Sequence, residues 1–212
     1  DQVLEPSAGT GLIAIVAEAC GGVLTLNELA EGRAVLLDGL FVSATRSRLD
    51  GRRVQNLLPG AGGFDVAVCN PPFTDLEAHL TGAFSALADG GRLAAVVPIT
   101  ALIDEGLMRR LSARGRVVAR IGFPPRAFSR HGTSVETGLL VLDRLEGGAA
   151  VAALANGEDL AACAALASAV PERVKARPRV RLELGAQTLL APRDRSLALP
   201  SGRLGFLAGA SP

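Results

Sequence analysis

Short apolar runs alternate with helix-length segments through the first two thirds of the chain, and that alternation restricts the fold more than any other feature. Residues 3–5, 23–26, 40–45, 64–69, 92–98, 117–123 and 138–142 read as strands. Helices are expected over 12–20, 29–37, 76–88 and 101–113, with Gly21-Gly22 and Gly90-Gly91 as stops. Residues 52–63, with Pro59 and three glycines, read as a loop. Repeated strand–helix–strand units call for a parallel sheet, because each parallel crossover needs a helix to return the chain. The expectation is α/β: a Rossmann-like, seven-stranded, mostly parallel sheet with helices on both faces.

The 212 residues are 49% apolar and 20% charged, enough for one such domain with a sizeable core. The expected boundaries are a core at 1–146 and an Ala-, Pro- and Arg-rich appendage or linker at 147–212. No run of eighteen apolar residues argues for a membrane span, and no basic-then-apolar leader opens the chain. The chain opens on Asp1 and enters strand-like sequence at once, so an upstream neighbour is expected. Cys20, Cys69 and Cys163 are widely spaced and only two histidines are present, which argues against a metal site and for a reducing, cytoplasmic setting. The net charge of +1 hides an asymmetry. Residues 1–105 carry 6 Arg against 13 acids, whereas residues 106–212 carry 16 cations against 8 acids. Arg109, Arg110, Arg114, Arg116, Arg120, Arg126 and Arg130 follow one another with no acid between them, a run that suits phosphates or simply a solvated face.

Chemistry concentrates at two turns. In Glu5-Pro6-Ser7-Ala8-Gly9-Thr10-Gly11, between a strand and a helix, Gly9 and Gly11 allow close approach of a ligand to backbone, and the helix start offers N–H groups. The turn lacks the third glycine of a dinucleotide fingerprint and the lysine of a P-loop. Glu28, 17 residues past Gly11 at the end of the second strand, is placed to accept both hydroxyls of a ribose. Asp50 follows the third strand, where a carboxylate can take a proton from an adenine amino group, or pair with Arg48, Arg52 or Arg53.

The second turn is Asn70-Pro71-Pro72-Phe73, after the fourth strand. Two consecutive prolines donate no N–H and hold the backbone stiffly. The Pro71 carbonyl is thereby presented beside the Asn70 side-chain carbonyl, and two adjacent acceptors suit a planar amino group with two hydrogens. Accepting both pulls the nitrogen towards a tetrahedral shape and aims its lone pair at an electrophile. Phe73 offers a flat face for a base to stack on.

In this order and spacing, EPSAGTG, Glu28 and NPPF resemble the class I S-adenosylmethionine-dependent amino-methyltransferases of the N6-adenine type. Residues 123–128 (FPPRAF) and 132–142 (GTSVETGLLVL) are similar to the family's target-base region and last hairpin, as in modification subunits of restriction systems. The resemblance covers about residues 2–144. LEPSAGTG, LNELAEGRA and NPPF also resemble the methyltransferase domain fused to strawberry-notch-type helicases. It implies that Glu5, Pro6, Ser7, Ala8, Gly9 and Gly11 wrap the methionine part of S-adenosyl-L-methionine, that Glu28 holds its ribose and that Asp50 reaches its adenine. It implies further that Asn70, Pro71 and Pro72 bind the target amino group, with Phe73 stacking the base and Phe128 forming a second wall. Catalysis would then be by placement, without a covalent enzyme intermediate. The expected partner is nucleic acid, DNA before RNA, with target recognition supplied by another domain or subunit and the base flipped out of any duplex.

Rival readings differ in substrate or in kind. Cytosine C5 chemistry needs a Pro-Cys nucleophile, whereas Cys69 precedes Asn70 on a buried strand and reads as a small hydrophobe. RNA, or a protein glutamine amide, would present the same planar amino group to the same two acceptors. A non-catalytic methyltransferase-fold module of a larger helicase is the alternative of a different class.

Overall fold

The computed structural model describes residues 1–57, 63–125, 127, 135–145 and 151–174, together with the backbone of strands at 181–184 and 187–190. Two compact units are present, Asp1–Ala176 and Arg177–Pro212. The second contains an antiparallel pair, Arg181–Leu184 with Gln187–Leu190.

The first unit runs β1 (Gln2–Glu5), α1 (Leu12–Ala19), β2 (Val23–Asn27), α2 (Glu31–Leu40), β3 (Thr45–Ser47), a 3-10 turn (Gly51–Asn56), β4 (Phe64–Cys69), α3 (Leu76–Ser85), β5 (Leu87–Pro98), α4 (Ile99–Ile103), α5 (Glu105–Ser112), β6 (Arg116–Gly122), β7 (Thr137–Asp143), β8 (Leu154–Asn156) and α6 (Leu160–Ser168). One sheet takes all eight strands in the order β3-β2-β1-β4-β5-β7-β6-β8. Every neighbouring pair is parallel except β5–β7 and β6–β7. The expected α/β architecture is therefore present, with one strand more than the seven anticipated.

Apolar runs fill both faces. Leu4, Phe64, Ala67, Leu80, Leu93, Val97, Met108 and Leu140 are fully buried in the main cluster, and Val3, Ala14, Leu26, Leu37 and Phe41 form a second around α1 and α2. The antiparallel strand is pinned by a buried fork: Arg92 Nε and Nη2 donate to Asp143 at 2.6 and 2.8 Å, and the two residues are register partners. A bidentate pair of this kind fixes register as well as adding attraction.

The expected loop at 52–63 begins in the 3-10 turn, and three departures from the expected boundaries are larger. The strand anticipated at 40–45 begins only at Thr45, because α2 continues to Leu40, Phe41 is buried and the Arg46 guanidinium takes the last carbonyls of that helix at Leu37 and Phe41. The helix anticipated at 76–88 stops at Ser85 with Ala86 as its cap, since buried Leu87 and Ala88 are drawn into β5 and Leu87 pairs with Phe64. The helix anticipated at 101–113 is two helices broken at Asp104, whose extended backbone and carboxylate (accepting Leu107 N–H at 3.0 Å) start α5.

From the expected appendage, β8 adds to the sheet parallel to β6. α6 starts at an Asp159 cap and buries Cys163 with Ala119, Ile121 and Val141. Buried Arg120 ties this addition to the body, donating to Ala152 and Leu102 carbonyls and to Glu105. Among the described residues no helix is long and apolar enough to cross a membrane.

Candidate functional site

Strand order reverses between β1 and β4, and such a switch point opens a crevice at the carboxyl ends of the parallel strands. Both sequence-derived turns emerge there: EPSAGTG leaves β1 and NPPF leaves β4. The register Leu4↔Ala67 sets Glu5 close to the end of β4, beside Cys69.

The first turn is shaped for a ligand. Gly9 and Gly11 both have positive φ, 57° and 85°. A Cβ on Gly9 would meet nothing within 4 Å, so its outer side is open, whereas one on Gly11 would strike Phe41 at 2.5 Å. Gly11 is thus needed for packing and Gly9 for conformation and access. Gly11, at the N-cap of α1, has no side chain to cap it, and of the first-turn N–H groups Ala14 is bonded to the Glu5 carboxylate. Such a helix start keeps N–H groups for a bound anion or carboxylate.

Two carboxylates face this turn and differ in state. Glu28 accepts Gly9 N–H and Ala30 N–H at 2.8 Å each and the Arg33 guanidinium at 2.8 Å. Burial pushes its pKa up, but Arg33 and the two backbone donors outweigh burial and hold it below the usual carboxylate range. Glu5 is only 2% exposed and its Oε2 has no hydrogen-bond partner. Burial pushes its pKa from 4.5 up to about 8, against the pull of a backbone hydrogen bond from Ala14, with the Glu28 charge adding to the rise. A buried acid with one carboxylate oxygen unpartnered and its pKa raised is suited to a cationic ligand, which would ionise it.

Buried Asn27 is a residue that motif reading passes over. Its Nδ2 donates to the Pro6 and Leu49 carbonyls at 2.9 Å each, while Oδ1 accepts Ser47 Oγ at 2.7 Å and Leu49 N–H at 2.8 Å. With both donors and two lone pairs used, one amide binds the β1 turn, β2 and the exit of β3 together. The sequence signal is a polar residue at a core position of a strand, immediately before Glu28. Asp50 caps the 3-10 turn through Arg52 N–H at 2.9 Å, and its carboxylate is gripped by the Arg52 side chain, which holds its pKa well below normal. That carboxylate is thus committed to an ion pair, the other partner that its sequence neighbours suggested.

On the opposite side, Asn70 and Pro72 are exposed, Pro71 is buried and Phe73 is 37% exposed. Asp75, two residues on, is the one described non-glycine residue with positive φ, 54°. Buried Cys69 has its thiol pushed up to about 12 by burial and the nearby Glu5 charge, which disarms it as a nucleophile. Phe128, Arg126 and Arg130 lie outside the described residues. The basic run does not form one free patch: Arg120 is buried, and Arg110 is paired to Glu77 at 2.8 and 2.9 Å. Among the described residues no three His, Cys, Asp or Glu gather as a metal site.

No family model and no curated protein matches the chain. Solved structures do. A protein from Listeria monocytogenes assigned as a class I S-adenosylmethionine-dependent methyltransferase superposes with TM-score 0.64 at 17% identity, over 80% of this chain and 63% of its own. A predicted O-methyltransferase from Agrobacterium tumefaciens gives TM-score 0.58 at 17% identity, over 73% of this chain and 78% of its own. The methyltransferase subunit of a type I restriction-modification system from Streptococcus thermophilus gives 0.57 at 19%, over 68% of this chain and 39% of its own. The fold is that of the class I methyltransferases, and this chain spans under two thirds of the first of these structures.

Proposed function

We propose that the chain transfers a methyl group from S-adenosyl-L-methionine to an exocyclic amino nitrogen, with N6 of adenine in DNA as the target. The observation that carries this is the pairing, at one switch point, of an acid-floored glycine turn after β1 with Asn-Pro-Pro-Phe after β4. The described residues fit the cofactor: Glu5 for its ammonium, the uncapped start of α1 for its carboxylate and Glu28 for its ribose. When bound, it supplies an electrophilic methyl group on a sulfonium. Asn70 and the Pro71 carbonyl accept the two hydrogens of the target amine and direct its lone pair inward. Phe73 stacks the base. As nitrogen gains the methyl group it becomes acidic and loses a proton, so no strong base is required and placement carries the rate. The resemblance to modification subunits and to strawberry-notch-linked domains favours DNA, as does the type I subunit among the structural neighbours.

The test is transfer of labelled methyl to unmethylated DNA, RNA and protein in parallel, with Asn70→Ala as control. Label on DNA adenine, lost in the variant, is the expected result. Label on RNA or on protein glutamine keeps the mechanism and changes the substrate. Cofactor binding without transfer, in the chain and in any longer protein that contains it, makes the domain a non-catalytic module and defeats the proposal.

A further inference from the structure

Arg52 touches both sides of the crevice. Its guanidinium grips Asp50, with Nε 3.0 Å from each carboxylate oxygen and Nη2 2.5 Å from Oδ2. Its Nη1 lies 3.1 Å from Oδ2 of Asp75, in the segment that leads from Phe73 into α3. Asp50 closes the loop after β3 on the cofactor side. Asp75 holds the left-handed conformation at the start of α3 on the target side. Behind these ion pairs the backbones nearly touch: a Cβ on Gly82 of α3 would stand 2.8 Å from the Arg52 carbonyl and 3.2 Å from that of Gly51.

The three partners are too exposed for their pairing to matter much to folding, at 47% for Arg52, 31% for Asp50 and 59% for Asp75. A link of small stabilising value that joins two functional loops, one of them strained, acts by position. We infer that Arg52 is a positioning residue that couples the cofactor loop to the target loop: occupancy of the β1 turn, which Asn27 joins through Pro6 to Leu49 beside Asp50, sets the stance of Asn70–Phe73. This rests on the cofactor reading given above. The planar fork lays Nε and Nη2 along Asp50 and leaves Nη1 for Asp75, a spread that the single nitrogen of a lysine does not reproduce.

Hydrogen exchange on the intact chain, with S-adenosylhomocysteine as probe, tests this without turnover. In the wild type the probe is expected to slow exchange at residues 50–53 and also at 73–78. In Arg52→Gln and in Arg52→Lys the slowing at 50–53 is expected to persist while that at 73–78 is lost. Melting temperature should be unmoved, and kcat should fall about tenfold or more with a small change in cofactor KM. Slowing at 73–78 that survives in Arg52→Gln overturns the coupling and leaves the function standing. No slowing anywhere in the wild type overturns the cofactor reading, and the coupling with it.

Discussion

The two sides of the crevice are held by different means. On the β1–β3 side, buried polar groups are bonded to backbone: Asn27 to Pro6 and Leu49, Glu28 to Gly9 and Ala30. On the β4 side, the Asn70–Phe73 turn is stiffened by its own prolines and its continuation at Asp75 is tethered by an exposed ion pair. Removing a buried hydrogen-bonded group leaves its partners unsatisfied, at a cost of about 1–3 kcal/mol each, whereas an exposed group is lost cheaply. Binding and stability should therefore be inseparable on the first side and separable on the second.

The largest effect is expected from Asn70→Ala, which removes an acceptor from an exposed position. Methyl transfer should drop by about 10²-fold or more, with cofactor affinity and melting temperature unchanged. A fall in melting temperature to match would break the contrast. Glu28→Ala should do the reverse: it strands two part-buried N–H groups, so stability should fall by about 1–2 kcal/mol, or roughly 2–8 °C, alongside cofactor affinity. Calorimetric binding and thermal melts on one sample check both. Unaltered affinity would remove Glu28 from the cofactor site.

Glu5 sharpens the comparison by titration. Its folded pKa of about 8 lies above its ordinary 4.5, so the native state holds an extra proton between those values. Stability from this group is complete below about 4.5 and is lost as pH rises through 8, at up to about 1.4 kcal/mol per pH unit. Glu5→Gln should flatten that slope, raise the melting temperature at pH 8 and weaken cofactor binding. In the wild type, binding at pH 7 should release a proton, seen as a dependence of the calorimetric heat on buffer ionisation enthalpy. The smallest effect is expected from Asp75→Gly. Relief of the left-handed backbone, about 1 kcal/mol, is partly offset by loss of an exposed ion pair, and the melting temperature should rise by about 2 °C or less. A clear fall would show that the Asp75 side chain holds the loop more firmly than its exposure implies.

Much of the fold was readable because strands such as Phe64–Cys69 are short apolar runs bounded by turn residues, a pattern set by local chemistry alone. The failures share a cause. Leu87 and Ala88 are helix-compatible residues that became strand through pairing of Leu87 with Phe64, and pairing partners distant in sequence leave no local trace. The site divides in the same way. Glycines and prolines with fixed conformational uses announce themselves, so both turns were found. Asn27, Arg33 and Arg52 act through partners up to 23 residues away, and Asp50 was legible only as a choice between an adenine contact and an arginine.

The reversed strand β7 has a further consequence for how such a domain can change. Because it runs against its neighbours, the exit of β6 at Gly122 and the entry to β7 at Thr137 lie on the same rim as the two functional turns. Both ends of the connection between β6 and β7 are thereby held at that rim, and the opposite end of β7 is braced by the Arg92–Asp143 fork. Exchanges within residues 123–136 are therefore expected to leave β1 to β3 undisturbed, since those strands pair only with one another and with β4.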